Sequence, residues 1–377
     1  MAASIQFIDL QAQRRRLGEP LNEAIMAAVQ GGQWILGPQV RELEEQLAAF
    51  AGVKHCVSCA NGTDALLIIL RAWGIGPGDA VFVPAFTFAA SAEVVALAGA
   101  SPVFVDVFED TYNMDPDSLE AAIAMVKRDG TLKPRAVLPV DLFGQAADYR
   151  RIEPIARRHG LKLLCDTAQA FGATLDGRST ASIGDAAATS FFPAKPLGCY
   201  GDGGATFTND DSLADLLRSI RMHGQGNDKY ENIRVGVNSR LDTIQAAILI
   251  EKLKIFPDEI VARDAVARRY HERLGGSNHI RVPKVIAGGT STWAQYTIQV
   301  SDRDKLQSDL TKQGIPTAVY YPIPLSRQNA YRHHPAVPTP VSEGICGTVI
   351  SLPMHPYLTE AVQSGIVTAV LASVGEV

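Results

Sequence analysis

Ala186-Ala187-Ala188-Thr189-Ser190-Phe191-Phe192-Pro193-Ala194-Lys195-Pro196-Leu197-Gly198-Cys199-Tyr200-Gly201-Asp202-Gly203-Gly204 is the stretch on which the reading of this chain turns. The run from Ala186 to Phe192 is short and apolar, which predicts a buried strand. Prolines at 193 and 196 stop regular structure, and the glycines that follow permit a tight loop. One lysine, Lys195, therefore stands between an apolar strand and a turn. Desolvation disfavours the ammonium form, so such a lysine has access to the neutral amine that captures a carbonyl. An ordinary surface lysine on a loop has the same local signature, and the rest of the chain must decide between the two.

Outward from this stretch runs an alternation of strands and helices. Strand-like 55–58 is followed by helical 63–73, 80–83 by 89–98, 102–107 by 117–127, and 136–140 by 149–159, with a further strand at 161–165. Apolar strands alternating with helices predict a mostly parallel sheet covered on both faces. Strand 205–208 and helices 212–223, 242–253 and 260–274 extend the pattern, after two N-terminal helices at 19–31 and 39–51. Beyond about 275 the character changes to strand-like 293–300, helical 302–314, strand-like 317–321 and a last helix at 359–370, which predicts a smaller α+β unit. The expected division is 1–258 for an N-terminal arm and large domain, and 259–377 for a small C-terminal domain. Trp34-Ile35-Leu36 between the first two helices is too apolar for a solvated loop and is expected to pack on another domain or subunit.

Composition narrows the class. The chain has 377 residues, 46% hydrophobic and 20% charged, with a formal net charge of -5 and no basic tract, which argues against a nucleic-acid surface. No signal pattern opens the sequence and no apolar run approaches the ~20 residues that span a bilayer, so a cytoplasmic protein is expected. Five cysteines at 56, 59, 165, 199 and 346 are odd in number and widely scattered, which argues against a disulfide framework. Cys56 and Cys59 form a C-x-x-C, but on a strand they face opposite sides, so no metal site is expected there.

In open α/β sheets ligands bind beyond the C-terminal ends of the strands. The segments that follow the strands are Ala60-Asn61-Gly62-Thr63-Asp64, Pro84-Ala85-Phe86-Thr87-Phe88 and Asp166-Thr167-Ala168-Gln169, joined by Ser190 and Lys195. Gly62-Thr63-Asp64 opens a helix, where backbone amides and a hydroxyl suit a phosphate; a plain Thr or Asp N-cap is the alternative. No Gly-rich dinucleotide or P-loop motif stands at the required place. Asp166 ends an apolar strand, where a carboxylate is costly without a cation, and a protonated pyridine nitrogen is such a cation; an N-cap for the next segment is the alternative. Gln169 is close enough in sequence to reach the same ligand, Phe88 offers a ring for stacking unless it is a core residue, and Ser190 a hydroxyl for a phosphate unless it is a buried serine bonded to backbone. Together these are the parts that pyridoxal 5'-phosphate requires.

Asn61 to Leu66, Pro84 to Phe88, Asp166 to Ala170, Ser190 to Gly204 and Gly236-Val237-Asn238-Ser239-Arg240-Leu241-Asp242 resemble the nucleotide-sugar aminotransferases of the DegT/DnrJ/EryC1/StrS family, in the same order over nearly the whole chain. The resemblance implies the type I aminotransferase fold and a homodimer with shared active sites. It implies that Lys195 bonds covalently to pyridoxal 5'-phosphate, that Asp166 holds the pyridine nitrogen, and that Phe88 stacks on the ring. It assigns the phosphate to Gly62, Thr63 and Ser190, places Gln169 near the ring hydroxyl, and has Asn238 reach the phosphate of the neighbouring subunit's site. Arg221 to Gln225, Ala294 to Thr297, Pro316 to Leu325 and Leu352 to Leu358 are most similar to members that aminate C3 of UDP-2-acetamido-2-deoxy-3-oxo-glucuronate. L-Glutamate is the donor implied, and Arg240, Tyr320, Tyr321 and His355 are the implied substrate residues. Tyr320 stands where similar members carry histidine; a tyrosine offers no cation, which leaves Arg240 to meet a carboxylate. The alternatives are another keto sugar, such as a 3-keto UDP-N-acetylglucosamine or a 4-keto 6-deoxy sugar, and a cofactor-binding regulatory protein without turnover.

Overall fold

The structure, a computed structural model, describes residues 5–228 and 230–376. Seven strands form the central sheet: β1 His55–Cys59, β2 Asp79–Pro84, β3 Ser101–Val105, β4 Lys133–Val137, β5 Lys162–Asp166, β8 Ala186–Ser190 and β9 Gly204–Thr208. Their order is β1-β9-β8-β5-β4-β2-β3. β2, β3, β4, β5 and β8 pair in parallel, and β9 runs antiparallel between β8 and β1. The mostly parallel sheet is therefore as the sequence predicts. A two-residue ribbon, β6 Thr174–Leu175 with β7 Arg178–Ser179, lies outside it.

Two helical layers cover the sheet because its strands are apolar on both sides. Ala80, Phe82, Val103, Val105, Leu163 and Cys165 face one layer, made of α2 Pro38–Ala51, α5 Pro116–Asp129, α6 Tyr149–His159 and the first half of α8 Thr243–Leu274. Val81, Val83, Phe104 and Leu164 face the other, made of α3 Gly62–Ala72, α4 Ala90–Leu97 and α7 Asp211–Ile220. The two-residue period of a strand does this sorting. It also sends Cys56 to the first core and Cys59 to the second, and all five cysteines are buried and free. α1 Leu10–Gln30, bent at Gly18 (φ 58°), lays Leu17 and Leu21 against Ile248 of α8.

A third core lies around a small antiparallel sheet, β10 Ile280–Arg281, β11 Tyr296–Val300 and β12 Val349–Leu352. α9 Arg303–Lys312, α11 Glu360–Ser373 and the second half of α8 pack on it. The short α10 Pro340–Ile345 instead leans on the large sheet through Ile345. Among the described residues no helix is long and apolar enough to cross a membrane.

Two expected elements change. The helices expected at 242–253 and 260–274 are one 32-residue helix with Pro257 inside it. A helix-interior proline costs about 3 kcal/mol. Continuous burial on both sides of it, from Leu249, Leu253 and Phe256 to Val266, Tyr270 and Leu274, outweighs that cost. The boundary expected at 258/259 falls within this helix. Segment 317–321, expected as a strand, makes a single bridge from Ala318 to Ser351, because Pro322 and Pro324 soon remove ladder donors. Trp34 and Ile35 are anchored by backbone, with the Trp34 carbonyl accepting from Thr243 N at 2.9 Å, yet their side chains remain exposed.

Asp106, just past β3, fastens α10 to the large sheet. Its carboxylate accepts from Ser342 N (2.8 Å), Ser342 Oγ (2.6 Å) and Val341 N (3.0 Å) at the start of α10, and from its neighbour Val107 N (3.0 Å). Removing a buried acceptor strands its donors, at about 1–3 kcal/mol for a group left unsatisfied. Asp106→Ala is expected to lower unfolding free energy by about 3 kcal/mol in urea titration; a loss below about 1 kcal/mol would show that water replaces the carboxylate.

Candidate active site

Parallel strands carry their C-terminal ends to one edge, and there the chain gathers its polar groups. After β8 the chain leaves the sheet at Phe191, whose N–H donates to the Gly203 carbonyl at 2.7 Å. Lys195 N donates to the Phe192 carbonyl (2.8 Å) and Cys199 N to the Phe191 carbonyl (2.8 Å), closing a compact loop. α8 grips this loop from behind. Lys252 Nζ donates to the Gly198 carbonyl at 2.6 Å and lies 4.4 Å from the Tyr200 ring centroid, and Gln245 Oε1 accepts from Tyr200 N at 2.8 Å. Lys195 as a residue is only partly buried, but its amine is deep enough that desolvation pulls its pKa below the ordinary lysine value, against the opposing pull of Asp166.

Asp166 ends β5 and is 6% exposed. One carboxylate oxygen accepts from Ala168 N (3.1 Å) and the other from Ser91 Oγ (3.3 Å) on α4. Burial raises its pKa, while the Ala168 amide, the Lys195 charge and Ser91 hold it down. A second carboxyl, Asp141, lies behind it at the end of the neighbouring β4 chain, its N–H donating to the Asp166 carbonyl at 2.9 Å. Neither Ser91 nor Asp141 is singled out by the sequence reading. A serine inside a helix carries no signal. Asp141 does: it follows an apolar strand much as Asp166 does.

Gly62 and Thr63 form the first turn of α3. The N-cap is Asn61 rather than Thr63 or Asp64: its side chain accepts from Asp64 N at 2.8 Å, and its carbonyl accepts from Ala65 N at 3.1 Å. Among the described residues nothing accepts from the Gly62 and Thr63 amides, as at any helix start without an added partner. Ser190 stands against them. A Cβ on Gly62 would lie 2.5 Å from Ser190 Cβ, so only glycine allows this approach. Ser190 Oγ accepts from Phe192 N at 3.2 Å.

An aromatic wall faces the rim. Phe88 is 56% exposed and its ring centroid lies 6.3 Å from that of Tyr321. Gln169 Nε2 donates to Tyr321 Oη (3.3 Å), and its Oε1 accepts from Phe143 N (2.7 Å). Tyr320 packs on Phe7 of the N-terminal arm, 6.5 Å between centroids. His355 sits below, with Arg263, Asp9 and Gln6 as neighbours; burial first, then Arg263, pushes its pKa down to about 4. Asn238 and Arg240 border a separate cleft of about 420 Å³ with Ile35, Ala60, Gly201 and Asp202. Ser239 between them accepts from Ala60 N at 3.1 Å, which sets this strip against the outer side of the Asn61–Gly62 turn. Among the described residues no hydrogen bond or ion pair joins Asn238, Arg240 or His355 to Lys195 or Asp166.

The arrangement fits pyridoxal phosphate. A buried carboxylate without a cation in salt-bridge contact suits a protonated ring nitrogen, a desolvated lysine suits an aldehyde, and unpaired amides beside Ser190 suit a phosphate.

A family model described as the DegT/DnrJ/EryC1/StrS aminotransferase family matches residues 15–371. The UDP-2-acetamido-2-deoxy-3-oxo-D-glucuronate aminotransferase of Pseudomonas aeruginosa is 50% identical over 357 residues, 95% of this chain and 97% of that protein. Among solved structures, a DegT DnrJ EryC1 StrS aminotransferase from Brucella abortus superposes with a TM-score of 0.97 at 54% identity, covering 99% of this chain and 100% of that one. Bacillus subtilis NtdA with bound cofactor PMP superposes with a TM-score of 0.89 at 28% identity, covering 100% of this chain and 86% of that one.

Gly62→Ala is expected to force the α3 turn off Ser190 while leaving the cores intact. Absorbance titration with pyridoxal phosphate should show affinity weakened at least about tenfold, or 1.4 kcal/mol, with melting temperature little changed. Unaltered affinity would place the phosphate elsewhere.

Proposed function

The chain belongs to the DegT/DnrJ/EryC1/StrS aminotransferase family, and on that premise we propose that it moves the amino group of L-glutamate to C3 of a UDP-linked 3-keto sugar acid, UDP-2-acetamido-2-deoxy-3-oxo-glucuronate. The chemistry rests on one observation above the others: a desolvated Lys195 amine facing a buried, unneutralised Asp166. The substrate rests on the likeness to the Pseudomonas protein, which covers nearly all of both chains.

Pyridoxal phosphate, when bound, supplies an aldehyde that captures the donor's amine and an electron-withdrawing ring that stabilises the negative charge left when Cα loses its proton. Lys195 Nζ would hold that aldehyde in the resting protein, and as a free neutral amine it would take the proton from the donor's Cα and return it to the former aldehyde carbon across the nitrogen, as base and then acid. A pKa lowered by burial favours the basic form that this step needs. The same amine works in reverse when the keto sugar enters. Asp166 keeps the ring nitrogen protonated, with Ala168 N and Ser91 Oγ orienting its oxygens. Gly62 and Thr63 amides and Ser190 Oγ would hold the phosphate, Phe88 would stack on the ring, and Gln169, aligned by Phe143 N and Tyr321, would meet the ring hydroxyl.

A second copy of the chain completes the site in this reading. Trp34, Ile35, Tyr230, Ile233 and Val235 are large and exposed, a costly surface for a lone chain, and Ile35 borders the cleft that holds Asn238 and Arg240. In a homodimer with shared sites, Asn238 meets the neighbour's phosphate and Arg240 the sugar acid. Arg240 has the planar fork that a carboxylate prefers, whereas His355 is neutral at pH 7 and supports the arm behind Tyr320. Tyr320 and Tyr321 line the sugar side. Such an enzyme works in the cytoplasm and supplies aminosugars to cell-surface polysaccharide, including lipopolysaccharide. One observation favours a neutral 3-keto sugar as second reading: Tyr320 offers no cation. The likeness to aminotransferases over the whole chain argues against a regulator without turnover.

Lys195→Ala is expected to lower transamination at least about 10⁵-fold, on the order of 7 kcal/mol of barrier, while retaining cofactor noncovalently; appreciable turnover would overturn the assignment. The cofactor-loaded protein should change its visible absorbance with the 3-amino UDP-sugar that bears a C6 carboxylate and much less with its hydroxymethyl analogue. Equal response to both would replace the acid by a neutral sugar.

A further inference from the structure

Asp141 is fully buried and has no role in the reaction outlined above. Val140 bridges Asp166, and Asp141 N donates to the Asp166 carbonyl at 2.9 Å, so the two aspartates leave adjacent strands side by side. One oxygen of Asp141 accepts from Ala147 N and from Tyr149 Oη, both at 2.8 Å. The other, Oδ2, is buried with no hydrogen-bond partner. Among the described residues no cation pairs with either oxygen. An ionised carboxylate there would leave half of its acceptor capacity empty, away from water and beside a second carboxylate, the costliest state open to it. A proton on Oδ2 removes the charge and leaves both bonds to Oδ1 intact.

We propose that Asp141 is a positioning residue that works in its protonated acid form, so that Asp166 is the one ionised carboxyl at that end of the site. The Asp141 side chain fastens the turn at 142–147, and Phe143 of that turn fixes Gln169, so the neutral acid sets geometry without adding negative charge. Burial, reinforced by Asp166 and opposed by Ala147 N and Tyr149, pushes the Asp141 pKa up to about 8, in keeping with this form. The titratable groups facing it are Asp166 and Cys165 on β5 and Tyr149 on α6; Glu153 and Asp185 act on Cys165, and Lys195 acts on Asp166. All but Lys195 are acids, and of those in contact with Asp141 only Tyr149 favours its ionised form, through the one hydrogen bond already counted.

The test compares wild type, Asp141→Asn and Asp141→Ala. In wild type the folded state keeps a proton that the unfolded state releases above its carboxyl pKa of about 4. The unfolding constant of cofactor-free wild type, divided by that of Asp141→Asn, should therefore rise with pH, by up to tenfold per unit. It should level off above about pH 8. Groups common to both proteins cancel in the ratio. Asp141→Ala, which strands Ala147 N and Tyr149 Oη, should be destabilised at every pH, and Asn should restore that loss. In the cofactor-loaded protein, an alkaline change of the visible spectrum near pH 8 should vanish in Asp141→Asn. A ratio that stays flat between pH 5 and 8 would overturn the proposal, as would one that falls. The catalytic outline above enters only through the spectral arm. Loss of that arm with the stability slope intact would count against the cofactor placement and not against the neutral acid.

Discussion

A buried carboxylate without a fixed counter-cation is the constraint to which the rest of this structure answers. Asp166 lies at the end of an apolar strand, and the protein sets only an amide, a serine hydroxyl and the charge of Lys195, outside salt-bridge contact, against it. A fold does not carry such a group for stability, since apolar residues would serve better there. In the proposed reading its cost is offset when a cationic ring binds. The desolvated lysine opposite is the complementary expense: each group is least stable alone and best matched to a ligand with a cation at one end and an aldehyde near the other.

The sheet is built so that these expenses meet. Parallel pairing from β3 through β8 delivers the ends of β2, β5 and β8 to one edge, where Phe88, Asp166 and Ser190 emerge. The antiparallel β9 returns the chain directly alongside β8, so the Lys195 loop is short and closed at both ends. α8 then stiffens the loop from outside, with Lys252 and Gln245 on its carbonyl and amide groups, and continues past Pro257 into the core of the small unit. The same helix thus holds the amine and carries the unit that brings Tyr320 and Tyr321 over the rim.

Much of this was legible in the residues themselves. The strand-and-helix rhythm predicted each strand of the central sheet to within a few residues, because an apolar parallel sheet leaves a continuous hydrophobic signal that turn residues punctuate. Lys195, Asp166 and Gly62 stood out because each is a costly or unusual residue at a strand end or a helix start. The misses have physical causes too. Pro257 reads as a helix break, and two cores acting on one helix override it. Segment 317–321 reads as a strand, but the prolines beyond it leave one bridge. Ser91 reaches Asp166 from the first turn of α4, where nothing in the local sequence marks it.

What the sequence by itself determined, then, is the class of fold and, through its matched motifs, the resemblance to the family; it also marked Lys195 and Asp166 as the candidate pair. The fold class follows from local periodicity and the candidate pair from the energetic oddity of single residues. What only the tertiary structure decided is proximity across the chain. Ser91 lies 75 residues from Asp166, and Lys252 54 residues from Gly198. Asp141 and Asp166 meet because β4 and β5 are neighbours in the sheet. Which charges are left without partners is a property of that packing: burial and distance set it, and neither is written in the order of the residues.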